Sequence, residues 1–93
     1  MNTALTDLLF KSYRRKVLNL LLLHPDKAFY VREIARLTDT VAGTLHKELS
    51  KLHEAGILLK KEQGNQICYQ ANRDCLIYEE LASILRKTSG LAD

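Results

Sequence analysis

Residues 31–58 read VREIARLTDTVAGTLHKELSKLHEAGIL, and the spacing of their apolar positions decides what the chain is built from. Arg32 to Leu37 reads as a short helix with Ile34, Ala35 and Leu37 facing inward. Thr38-Asp39-Thr40 interrupts it with three residues that favour turns and helix N-caps. A further helix follows at once, from about Val41 to Ala55. In it Leu45, Leu49 and Leu52 recur at i, i+4 and i+7 and make one narrow apolar stripe. Gly56 sits where a left-handed helix stop is wanted.

On the N-terminal side, Tyr13, Val17, Leu20, Leu21 and His24 fall at helical spacing until Pro25, the single proline, ends the pattern. Arg14, Arg15 and Lys16 crowd the start of that helix and oppose its dipole, an arrangement that becomes useful beside a phosphate. Residues 1–10 form a short separate helix in this reading, with Leu5, Leu8 and Leu9 as its apolar face. Pro25-Asp26-Lys27 is a turn, and Ala28 to Val31 a short β-prone run. On the C-terminal side the period changes to that of strands. Ile57–Glu62 and Gln66–Ala71 flank Gln63-Gly64-Asn65, which predicts a β-hairpin. Asn72-Arg73-Asp74 then supplies caps for a last helix, over 75–91, carrying Ile77, Leu81, Ile84, Leu85 and Thr88 on one face. The expected fold is mainly α with a small β-hairpin. Two of its helices are separated by a three-residue turn, as in a helix-turn-helix, and the hairpin that follows is placed as a wing.

The 93 residues show no repeat, no low-complexity stretch and no Pro/Gly/Ser linker, so 1–93 reads as one domain. Net charge is only +3, but residues 1–38 hold seven Lys/Arg against three acids, and residues 39–93 seven against eight. A basic front end on a nearly neutral body is compatible with an anionic partner and does not demand one. Cys68 and Cys75 are too few for a disulfide scaffold, and their spacing fits no zinc motif. The apolar run from Val17 to Leu23 is far short of the roughly 20 residues of a membrane-spanning helix. No signal peptide is expected either, so the expectation is a cytoplasmic protein with no membrane partner.

The segments Val31-Arg32-Glu33-Ile34-Ala35-Arg36-Leu37, Gly43-Thr44-Leu45-His46-Lys47-Glu48-Leu49 and Leu52-His53-Glu54-Ala55-Gly56-Ile57-Leu58 resemble winged helix-turn-helix transcriptional regulators of the ArsR/MarR type. Gly64-Asn65, Tyr69 and Asn72 look like the wing loop and the exit into the last helix, so the resemblance runs from about residue 11 to residue 91. The chain is also similar to the winged-helix segment found in front of small nucleotidyltransferase domains. The Gly-Ser and paired-Asp elements of those transferases are absent, and no catalysis is carried over. Two departures matter. Wings of this kind often carry Arg after the Gly-Asn pair, where Gln66-Ile67 stand here. Metal-sensing relatives place a Cys-x-Cys in the recognition helix, and residues 41–55 contain no cysteine.

The resemblance implies that the helix from Val41 enters the major groove of double-stranded DNA. Thr44, His46 and Lys47 are then candidates for base edges, with Thr40, Ser50 and Lys51 beside them. Gly43 would let the backbone approach a sugar-phosphate strand. Arg14, Arg15 and Arg32 are candidates for the DNA backbone, and Lys60, Lys61, Asn65 and Gln66 for the wing. Leu5, Leu8, Leu9, Ile77, Leu81, Ile84, Leu85 and Leu91 are candidates for a two-fold dimer interface, placing residues 1–10 and 75–91 as dimerisation helices.

Plainer readings stand beside these. Lysines 47 and 51 with glutamates 48 and 54 are what any solvated helix shows, and Lys60 and Lys61 also blunt an edge strand. Some of the leucines simply pack the monomer's own core. His46 and His53 share a helix face with no third ligand, and His53 reads as a neighbour of the core. Cys68 reads as a small core hydrophobe, and Cys75, opening the last helix, as passive or as a reactive thiol. No catalytic triad, carboxylate pair or phosphate loop is present, so the expectation is no enzyme, no metal and no cofactor. It is a homodimeric, sequence-specific DNA-binding regulator, a repressor by family analogy. The alternative is a protein-interaction module partnering a separately encoded nucleotidyltransferase, and a third reading is a nucleoid protein without sequence preference.

Overall fold

A computed structural model describes residues 12–88. Helix α1 (Ser12–Leu22) buries Val17, Leu18, Leu21 and Leu22 on one face. Pro25 does not itself end this helix, which stops three residues earlier. His24, expected within it, lies beyond its end, where the ring Nδ1–H donates to Leu20 O (2.8 Å) and satisfies a carbonyl of the last turn. Strand β1 (Phe29–Tyr30) and helix α2 (Val31–Thr38) follow without a break. Glu33 Oε1 accepts from Tyr30 N–H (3.0 Å) and secures the start of α2.

Helix α2 buries Ile34 and Thr38, and Leu37 is turned outward, half exposed. The expected inward Leu37 is thus corrected, because position 38, one turn after Ile34, faces the core. The Thr38 hydroxyl donates to Ile34 O (2.6 Å), so the threonine is buried without losing a partner. Asp39 adopts φ 53 and reverses the chain into helix α3 (Ala42–Glu54). The N-cap of α3 is Val41, which makes no side-chain cap, so the expected capping by Thr38-Asp39-Thr40 does not occur. At its other end Gly56 (φ +86) lets the N–H of Ile57 return to Leu52 O (3.0 Å).

Strands β2 (Leu58–Gln63) and β3 (Gln66–Ala71) pair antiparallel with Leu58 opposite Ala71 and Gln63 opposite Gln66. The loop is therefore two residues rather than the expected three. Gly64 (φ +62), at its first position, supplies the positive φ of a type II′ turn. The strand order is β1-β3-β2, all antiparallel, with Phe29 opposite Tyr69 and Tyr30 opposite Cys68. The hairpin is thus part of a three-stranded sheet, and the fold is mixed: four helices and a small antiparallel sheet among the described residues.

Helix α4 (Tyr78–Thr88) begins later than expected. Asn72 caps the preceding turn instead of the helix. Its Oδ1 accepts from Asp74 N–H (3.0 Å), and its Nδ2 donates to Gly56 O (2.9 Å), tying the end of β3 to the end of α3. Cys75 consequently lies in this turn and does not open the helix. Helix α4 packs on α1, and Tyr78 Oη donates to Leu22 O (2.7 Å) in the buried contact between them. The core gathers Val17, Leu18, Leu21 and Leu22 of α1, Ile34 of α2, Leu45, Leu49 and Leu52 of α3, and Tyr78, Ala82 and Leu85 of α4. Phe29, Leu58, Tyr69 and Ala71 close it from the sheet.

Candidate nucleic-acid interface

Helix α3 is anchored by its leucines and by one charge. Leu45, Leu49 and Leu52 are buried, as is Glu48, which is 2 % exposed. Successive residues of a helix turn by about 100°, so Glu48 falls on the same arc as the three leucines. Arg14 reaches it from α1: Nη2 donates to Oε1 (3.1 Å) while Nε forms an ion pair with Oε2. The hydrogen bond to Glu48 raises the Arg14 guanidinium above its ordinary pKa, against a smaller opposing effect of burial. This corrects two expectations. Glu48 does not belong to the solvated polar face, and Arg14 turns inward to it rather than standing ready for a DNA backbone.

The burial of Glu48 changes the charge of what is left outside. Gly43, Thr44, His46, Lys47, Ser50 and Lys51 are all exposed. Between Ala42 and Lys51, Glu48 is the one acid, so the exposed side of these turns carries two lysines and no carboxylate. Gly43 has open space where a side chain would stand, with nothing within 4 Å. Thr40, also expected here, is buried; its hydroxyl lies 2.9 Å from that of Thr38 inside the turn. It shapes the turn instead of facing outward.

The other residues expected to meet DNA are spread over the surface. Arg32 is exposed on α2, and Arg15 is half-buried on α1. Lys60, Lys61 and Asn65 are exposed on the hairpin, and Gln66 is half-buried. The Tyr30 hydroxyl donates to Gln63 Oε1 (3.1 Å), linking the hairpin tip to the start of α2. Sequence reasoning passed over Val41, which is 76 % exposed immediately before Ala42, and the exposed Arg36. Periodicity signals Arg36, which lies off the arc set by Ile34; Val41, four residues before Leu45, shares the side of that stripe, and its exposure follows from its place at the N-cap, before the helix begins.

The expected dimer surface divides. Ile77 and Ile84 are exposed on α4 or just before it, and Leu81 is half-buried against the core. Leu85 is fully buried within the monomer, so it is a core residue and does not face a second copy. Leu5, Leu8, Leu9 and Leu91 lie outside the described residues. His53 Nδ1–H donates to Leu58 O (3.1 Å) and its ring meets Tyr69 edge-on, a structural role. Cys68 is buried and Cys75 half-buried, both as free thiols. Among the described residues no group of three His, Cys, Asp or Glu side chains is placed to hold a metal, and no helix is long and apolar enough to cross a membrane. No protein-family model, curated protein or solved structure matches the chain.

Proposed function

We propose that the chain is a winged helix-turn-helix protein that binds double-stranded DNA by sequence as a homodimeric transcriptional regulator, with α3 as the reading helix and the β2–β3 hairpin as the wing. The observation that carries this is the sorting of charge on α3. In its first turns, Ala42 to Lys51, the one acid, Glu48, is folded inward onto Arg14, and Thr44, His46, Lys47, Ser50 and Lys51 stand outward. Such a face tolerates a polyanion, and its Lys, Thr and Ser side chains are donors for phosphate oxygens and base edges. Val41 adds an exposed apolar group of the kind that meets thymine methyls. Ile77 and Ile84, with Leu81 between them at helical spacing, supply a surface for the two-fold mate. A dimer would set two reading helices about 34–36 Å apart along the duplex. Cytoplasmic residence and a repressing sign belong to the same proposal.

A second reading is favoured by Leu76, which is 96 % exposed beside Ile77. An apolar turn of this kind suits a protein partner, such as a separately encoded nucleotidyltransferase. Fluorescence anisotropy against a random-sequence duplex pool, before and after selection, across a salt series, separates the two. The DNA reading expects an enriched duplex bound well above its shuffled counterpart, with log K falling by about 0.9 per phosphate contact per log unit of salt. Lys47→Ala with His46→Ala should remove about 1–3 kcal/mol of site preference for each base edge that these side chains read. Equal, weak binding to both duplexes at physiological salt would leave the protein-partner reading in its place.

A further inference from the structure

We infer that the Arg14–Glu48 pair positions the reading helix, fixing the rotation of α3 about its own axis and hence which groups meet the bases; this rests on the DNA-binding reading above. Nη2 donates to Oε1 at 3.1 Å, Nε forms an ion pair with Oε2 without a hydrogen bond to it, and the Glu48 side chain is 3 % exposed. A charge-assisted hydrogen bond from a planar guanidinium, backed by an ion pair at the second carboxylate oxygen, constrains direction as well as distance. Leu45, Leu49 and Leu52 share that arc of α3 and have no such directionality. An apolar stripe keeps most of its burial through a small rotation, since hydrophobic packing loses uniqueness before it loses stability.

Stability alone does not account for an ion pair at this place. Withdrawing the carboxylate and much of the guanidinium from water, the Arg14 side chain keeping 30 % exposure, costs about what their attraction returns, and well-packed apolar residues at such sites are often equal or better. The rotation they set has consequences outside. Groups on the surface of an α-helix lie about 5–6 Å from its axis, so a rotation of about 20° moves them by about 2 Å. Recognition geometry tolerates about 0.5 Å. Thr44, Lys47 and Lys51 flank Glu48 at the positions four before, one before and three after it, so they follow any turn of its side of the helix. Val41 offers no side-chain cap that would pin the N-terminal end instead.

The experiment uses the duplex enriched by the wild-type protein from a random pool, and a shuffled duplex of the same composition. For Arg14→Met with Glu48→Leu, the melting temperature is expected to equal or exceed that of the wild type. Affinity for the shuffled duplex and its salt slope should be kept, while discrimination between the two duplexes falls about tenfold or more. Stability and discrimination then move apart, which a merely structural pair would not produce. Arg14→Lys, which keeps the charge and loses the planar guanidinium, should fold and show a smaller loss of discrimination. Discrimination within about twofold of wild type in either folded variant would overturn the inference while leaving the DNA reading intact. A wild-type protein with no preference between the duplexes would remove that reading and the inference with it.

Discussion

Replacing Tyr78 by Phe deletes one oxygen atom and leaves the ring packing in place, which makes it a measure of a single interhelical hydrogen bond. The hydroxyl donates to Leu22 O at 2.7 Å, and Tyr78 is 7 % exposed. Leu22 is the last residue of α1, so its carbonyl lacks the ordinary intrahelical donor four residues on. Removing its partner leaves a desolvated acceptor, at about 1–3 kcal/mol. An open cleft of about 320 Å³ lined by Leu22, Leu23, His24, Pro25, Tyr78 and Arg86 adjoins the contact. A water entering there recovers part of the loss, so the lower half of the range, about 1–2 kcal/mol, is expected. For a chain of this size each 1 kcal/mol lowers the melting temperature by about 4–8 °C. Thermal denaturation followed by circular dichroism, at one fixed protein concentration, should show a fall of about 4–16 °C. On the proposed DNA-binding reading, affinity for the duplex at 25 °C should be unchanged, because the contact lies between α1 and α4. A fall below about 2 °C would mean that the carbonyl is not desolvated, and the reasoning would fail.

On the proposed dimer, Ile84→Asp should shift the protein to monomer in sedimentation without unfolding it, whereas Leu85→Asp should unfold it, since Ile84 is 36 % exposed and Leu85 fully buried; dimers persisting in Ile84→Asp would exclude this face. Gly64→Ala should cost about 1–2 kcal/mol, because an L side chain is strained at positive φ. The Cβ meets nothing within 4 Å, so this loss is purely a backbone effect, and an unchanged urea midpoint would show that the turn relaxes.

Much of the architecture is legible in local pattern. The Leu45–Leu49–Leu52 spacing places α3 and its buried side, and Gly56 and Gly64 mark a helix stop and a hairpin turn at the positions where positive φ is found. The apolar run Ile67-Cys68-Tyr69 within Gln66–Ala71 places β3. Pattern fails where the deciding neighbour is distant in the chain. Leu37 is apolar and so points inward on sequence grounds, but the arc of α2 facing the core runs through Ile34 and Thr38. A threonine can sit there once its hydroxyl finds Ile34 O. The start of α4 is displaced because Asn72 commits its side chain to Gly56 and Asp74, partners that helix-cap rules do not anticipate.

The candidate site shows the same division. Sequence by itself determined that positions 43, 44, 46, 47, 50 and 51 lie off the apolar stripe of α3, since helical period is a local property of the chain. Whether Glu48 joined them was settled only by tertiary structure. Its arc is shared with the leucines, and a buried carboxylate is tolerable only where a counter-charge reaches it. That counter-charge is Arg14, 34 residues earlier, carried in by the packing of α1 against the rest of the core. The same packing took Arg14 out of the set of outward cations and placed Leu85 in the core beside Tyr78 and Ala82. Spacing reports which residues share a face; which distant segment covers that face is decided when the helices close on one another.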